Sequence, residues 1–108
     1  MAYKESALTE DMGTCYLCGR VAQQMHHIFN GPERAKSTAD NMIIPVCAGC
    51  HERIHNDAAL RRELKAIGQI KWEWKYINST FGDSDDAFFR KSNMAREAFR
   101  KRYGKSYL

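Results

Sequence analysis

The chain has 108 residues, of which 44% are hydrophobic and 28% charged, with a formal net charge of +4. That length predicts one small domain with a modest core, which a structural metal would help to hold. No apolar run reaches membrane-spanning length, and the polar opening MAYKESALTEDMG lacks a signal peptide's apolar stretch, so the expectation is a cytoplasmic protein with no membrane partner.

In chain order, the first dozen residues read equally as a short helix or a frayed tail. Cys15 and Cys18, followed by Gly19, form a Cys-x-x-Cys pair that reads as a zinc knuckle. Val21–Phe29 is expected to be a strand, with Val21, Met25 and Ile28 as its apolar positions. Asn30-Gly31-Pro32 breaks it, and the polar stretch Glu33–Asn41 reads as a loop. Met42–Val46 is a β-rich run leading into a second knuckle, Cys47 and Cys50. A helix begins near that knuckle and carries His51 and His55. Asp57 can cap a continuation through Leu60, Leu64 and Ile67, which recur at helical spacing, and Gly68 is expected to end or bend it. Ile70–Ile77 alternates like a strand, but the flanking helical pattern predicts another helix. Gly82-Asp83-Ser84 is a turn, and Ser84 or Asp85 can cap a last helix from about Ala87 to Tyr103. Phe88, Ala95, Phe99 and Tyr103 share one face of that helix. There is no internal repeat.

Charge is distributed unevenly. Residues 1–86 carry 10 Lys and Arg against 12 Asp and Glu, whereas residues 87–108 carry 7 against 1. A basic terminal helix suits a polyanion such as nucleic acid. The same charge would also serve an ordinary solvated helix.

The two Cys-x-x-Cys pairs are separated by 28 residues and fit a four-cysteine zinc site. In a reducing compartment such pairs favour zinc over disulfides. A redox role would need a β-α-β context, which is missing here. The alternative, four unrelated buried cysteines, does not account for their pairing at ligand spacing.

All four histidines also lie within Cys15–His55. His51 and His55 stand at i and i+4, on one face of a helix. His26 can supply a third imidazole from the strand. Its neighbour His27 then points to the opposite face, unless the chain bends, and can act on water as a general base. Asn41, whose amide both donates and accepts, is suited to pinning the loop between the strands. Spacing alone leaves open which imidazole holds metal and which moves a proton. The segment His51-Glu52-Arg53-Ile54-His55 also matches H-E-x-x-H, the metallopeptidase pattern, with Glu52 as base and Glu73 as a further ligand. That reading leaves His26, His27, Asn41 and the cysteines without a role.

The stretch CYLCGRVAQQMHHIFNGPERAKSTADNMIIPVCAGCHERIHN, Cys15–Asn56, resembles the HNH endonucleases that carry a four-cysteine zinc site. The layout is similar to small phage and prophage members, and the tail FRKRYGKSYL resembles the ends of some of them. The resemblance implies an α+β fold: a zinc-stabilised ββα-metal, or His-Me finger, core over residues 15–56 with a helical extension over 57–108. It also implies His27 as general base, Asn41 as the middle motif residue, and His26, His51 and His55 as ligands of one catalytic divalent metal. The His-His, Asn, His-x-x-x-His layout is similar to colicin-type DNases, which lack the cysteine clamp. Many clamped members have aspartate at the position of His26, or lack the second helix histidine. Three imidazoles suit Zn²⁺, Ni²⁺ or Mn²⁺ better than Mg²⁺, which prefers oxygen. The implied partner is double-stranded DNA, approached through the minor groove. Arg53 lies between two ligands, and Arg96, Arg100 and Lys101 lie on the basic terminal helix; these are the expected phosphate contacts. A non-catalytic zinc module that binds nucleic acid or protein is the alternative. Oligomeric state has no sequence signal.

Overall fold

Gln24–His27 (β1) and Ile43–Val46 (β2) pair antiparallel, with His26 opposite Ile44 and His27 opposite Ile43. The computed structural model describes residues 5–82 and 88–108, without the side chains of Phe88 and Phe89. Around this two-stranded sheet it places four helices: Arg34–Ala39 (α1), Ala48–Asn56 (α2), Ala58–Phe81 (α3) and Phe88–Tyr103 (α4). The architecture is α+β. No helix among the described residues is long and apolar enough to cross a membrane.

β1 is shorter than the strand expected over Val21–Phe29. Val21 is 78% exposed and makes only an isolated bridge to Thr14. Ile28 and Phe29 turn out of the ladder into the core, though the Ile28 N–H still reaches Met42 O at 2.9 Å. The β2 segment is buried throughout, as its unbroken apolar run implies.

The polar stretch Glu33–Asn41 is not a loop. A 3-10 turn at Gly31–Glu33, with Pro32 in its first turn, feeds directly into α1. One side chain anchors α1. The fully buried Ser37 hydroxyl donates to Met42 O at 2.6 Å and accepts from Phe29 N–H at 3.1 Å. Asn41 then ends the helix in the left-handed region, at φ 58°.

α2 starts on the second knuckle. Cys47 is its N-cap, and the Sγ accepts from Cys50 N–H at 3.4 Å. A single extended residue, Asp57, separates α2 from α3, and its carboxylate caps α3 through Leu60 N–H at 3.0 Å. Gly68 neither ends nor bends α3, which runs unbroken for 24 residues through Ile70–Ile77. The glycine is there for clearance: a Cβ at position 68 would lie 2.8 Å from Ile28 Cγ2. The expected cap of α4 at Ser84 or Asp85 and its start at Ala87 lie outside the described residues, as does the placement of the Phe88 side chain.

α3 and α4 close over Phe29 with an aromatic core. The Phe29 ring lies 4.3 Å from Tyr103 and 5.4 Å from Phe99 between centroids, and Trp72 lies 5.4 Å from Phe99. Phe29 follows His27 by two residues, so this core fixes the end of the strand that carries the histidines.

Candidate metal centre and histidine cluster

A tight turn at Cys15–Cys18 and the first turn of α2 bring the four cysteines together. Cys15 is held by backbone bonds to Arg20 O and from Gly19 N–H, while Tyr16 N–H reaches Pro45 O at 2.8 Å and ties the first knuckle to β2. The four Sγ atoms all lie within 4.8 Å of one another, and Cys18 Sγ is 3.6 Å from Cys47 Sγ. None is in a disulfide. Four sulfurs at about 2.3 Å from a zinc ion would stand about 3.8 Å apart, so this cluster has the size of a tetrahedral thiolate site. The four cysteines are thus placed to hold a structural metal, for which zinc is the chemically matched ion.

The electrostatics agree. In the bare cluster burial opposes ionisation of Cys15, but N–H donors from Cys47, Cys18 and Leu17 outweigh it and bring the thiol to about 6. The Cys50 N–H holds Cys47 low. Cys50 itself is pushed up to about 12 by burial and by the neighbouring thiols. Without a cation the four sulfurs cannot share so much negative charge, whereas a divalent metal would favour the thiolate at every one.

A second cluster lies where β1 meets α2. The His26 ring centroid is 5.6 Å from that of His51 and 6.3 Å from that of His55, and His51 and His55 are 4.7 Å apart. Three imidazoles, one from the strand and two from the helix, thus lie near one another, while among the described residues the group with ligand atoms within metal-binding distance is the four cysteines. His26 is 4% exposed and His27 8%. Burial, then the charges of His51, His55, His27 and Lys65, push His26 down to about 4. Burial, Arg34 and His51 lower His27, and burial and His55 lower His51. All three shifts keep the imidazoles neutral near pH 7, the state in which they can bind metal or accept a proton.

Gln24 is a member of this cluster that sequence reasoning missed. It lies two residues before His26, on the same strand face, and its Oε1 hydrogen-bonds His51 Nδ1. An amide oxygen only accepts, so His51 donates from Nδ1 and presents Nε2 as a lone pair. The i−2 spacing from His26 was the available signal.

Asn41 stands at the end of α1. Its side-chain amide donates to Glu5 Oε1 at 3.1 Å, and its backbone carbonyl accepts from Ala7 N–H at 2.8 Å, so it staples the N-terminal segment to the end of α1. Arg53 is exposed on α2, and Lys101 is exposed on α4. Arg96 bonds Glu73 at 3.1 Å and Arg100 bonds Glu97 at 2.8 Å. The Glu73 carboxylate is engaged by Gln69 and Arg96.

Against protein-family models, curated proteins and solved structures, the chain finds no match. The chemistry of the two clusters is thus the basis for a functional reading.

Proposed function

We propose that this chain is a metal-dependent DNA endonuclease with a zinc-clamped ββα-metal core, made of β1, β2 and α2. The observation that carries the reading is the convergence of His26, His51 and His55 beside the buried, neutral His27. The three imidazoles would hold one catalytic divalent ion, and their nitrogen donors suit Zn²⁺, Ni²⁺ or Mn²⁺ better than Mg²⁺. When bound, such an ion stabilises charge developing on the scissile phosphate and the departing oxygen.

The chain's own residues do the rest. His27, kept neutral by burial and by the Arg34 charge, accepts a proton from water. The water oxygen attacks phosphorus in line, the bond to the 3′ oxygen breaks, and that oxygen takes a proton from solvent, leaving a 5′-phosphate and a 3′-hydroxyl. Gln24 fixes the His51 ring, and Asn41 pins the N-terminal segment to the end of α1. Arg53, Arg100 and Lys101 are exposed cations for duplex phosphates, and Arg96 would join them by exchanging Glu73.

Plasmid cleavage by the zinc-loaded protein, with Mg²⁺, Mn²⁺, Ni²⁺ or Zn²⁺ added in turn, tests the reading. Nicked or linear product is expected with at least one ion. His27→Ala should reduce cleavage by a factor of at least about 100 while retaining both metals. DNA binding with no cutting under any ion would make the chain a non-catalytic zinc module. Peptide hydrolysis that disappears in Glu52→Gln would instead make it a metallopeptidase.

A further inference from the structure

Next to the histidine cluster, the start of α3 and the last residues of the chain enclose an open cleft of about 460 Å³. Arg61, Arg62, Lys65 and Lys105 line it, together with Ser106 and Tyr107. Four cations elsewhere are paired with acids: Lys36 with Glu33, Arg96 with Glu73, Arg100 with Glu97 and Arg102 with Asp40. Among the described residues, no carboxylate lies within ion-pair distance of the four cleft cations. Burial, Lys105 and Arg61 together hold the Lys65 ammonium below its usual range. Four cations from two elements are thus crowded into one cleft, which Leu108 also lines.

The crowding is built into the fold. Gln69 is fully buried; its Oε1 accepts from Tyr107 N–H at 2.6 Å and its Nε2 donates to Ser106 Oγ at 3.0 Å. The Tyr107 ring stacks on Phe29 at 5.7 Å, and Lys65 and Lys105 approach that ring to 5.4 and 5.0 Å. These contacts hold the tail, and Lys105 with it, against α3. The opposite wall joins the histidine cluster, because Arg61 Nη1 donates to Ile54 O at 2.9 Å and to His55 O at 2.6 Å.

We propose that this cleft is a second phosphate-binding site, which takes successive backbone phosphates of the nucleic acid strand lying at the histidine cluster. The identity of the strand rests on the endonuclease reading. A strand carries one charge per about 3.4 Å of helix axis, so a phosphate at His26 and His55 brings others to a cleft whose wall touches His55. Four cations on two adjoining elements offer such a row of monoanions several partners.

The test is salt-dependent binding of a short DNA duplex, followed by fluorescence anisotropy on the full zinc-loaded chain without added metal. Arg61 is left intact because it holds the end of α2. In R62Q/K65Q/K105Q the log–log salt slope should shrink in magnitude by about 2.7, at about 0.9 per lost contact. Lys105→Gln alone, at an exposed position, should remove about 0.9, and the Gln69 bonds to Ser106 and Tyr107 still hold the tail. The comparator R20Q/K71Q/K75Q removes the same charge from exposed positions outside the cleft and should change the slope far less. The charge-keeping R62K/K65R/K105R should bind like the parent. Equal losses in the cleft variant and the comparator, or no duplex binding by the parent, would overturn the proposal. Cleavage run in parallel separates the two ideas. If the parent cuts but the cleft variants bind unchanged, the cleft alone fails. If binding depends on the cleft but no cutting occurs, the endonuclease reading alone fails.

Discussion

His26 and His27 are neighbours in the chain with different surroundings, and the pH behaviour of His26 follows from its own. Its folded pKa of about 4 lies below the ordinary imidazole value of 6.5. The folded state therefore resists a proton that the unfolded chain accepts. Its contribution to stability is complete above about pH 6.5 and is lost as pH falls towards 4. The shift corresponds to about 3 kcal/mol across that window. Urea unfolding of the zinc-loaded protein at pH 7.5, 6 and 5, compared with His26→Gln, should show the variant losing less stability on acidification. The four-cysteine cluster was legible because a metal imposes spacing that sequence displays directly, and the pairing of His51 with His55 because i and i+4 share a helix face. Gln24, Arg61 and Lys65 were not, since an amide or a cation in a polar stretch has no pattern until folding brings it to its partner.

Elements show where periodicity misleads. α1 has one wholly buried residue, Ser37, so no apolar repeat marks it, and a helix of 6 residues read as loop. At Gly68 a residue that often ends helices sits inside one because Ile28 leaves no room for a side chain. Gly68→Ala is thus a test of packing against propensity. Alanine favours a helix by about 1 kcal/mol, but overpacking costs typically about 1–3 kcal/mol. Net destabilisation is expected, seen as a lower urea midpoint with unchanged slope. Asp40, just past α1, joins three elements: it accepts two bonds from Arg102 at 2.6 and 2.8 Å, one from Trp72 Nε1 at 2.9 Å and one from Tyr103 Oη at 2.5 Å. Asp40→Ala should cost about 3 kcal/mol, because Arg102 loses its acceptor and the partly buried Tyr103 hydroxyl its own. Thermal unfolding measures that loss.

At the scale of the molecule, the cysteine cluster links two segments 29 residues apart, Cys18 and Cys47, so that metal binding closes the loop containing the hairpin. Removing zinc with a strong chelator should unfold the chain cooperatively, and far-ultraviolet circular dichroism would show it. A chain that keeps its helices without metal would refute that role. The broad α+β character and the basic C-terminal segment were legible from residue types alone. How that charge is used was not: Arg96, Arg100 and Arg102 bond acids from three different places, and only coordinates reveal which cations remain for a partner. The cleft at Tyr107 likewise needs the tail folded back on α3, a long-range contact that no local pattern encodes.

Asp57 sets a limit on how this chain can tolerate changes in length. α2 and α3 have 9 and 24 residues and are interrupted only there. Fused into one rod they would measure roughly 50 Å at 1.5 Å per residue. The whole molecule extends 44 Å along its longest axis. Each residue gained or lost at the break would also rotate one helix against the other by roughly 100°. His55 could then keep its place beside His26, or Gly68 its place beneath Ile28, but not both. Insertions and deletions at this corner should therefore be far less tolerated than substitutions of Asp57 itself.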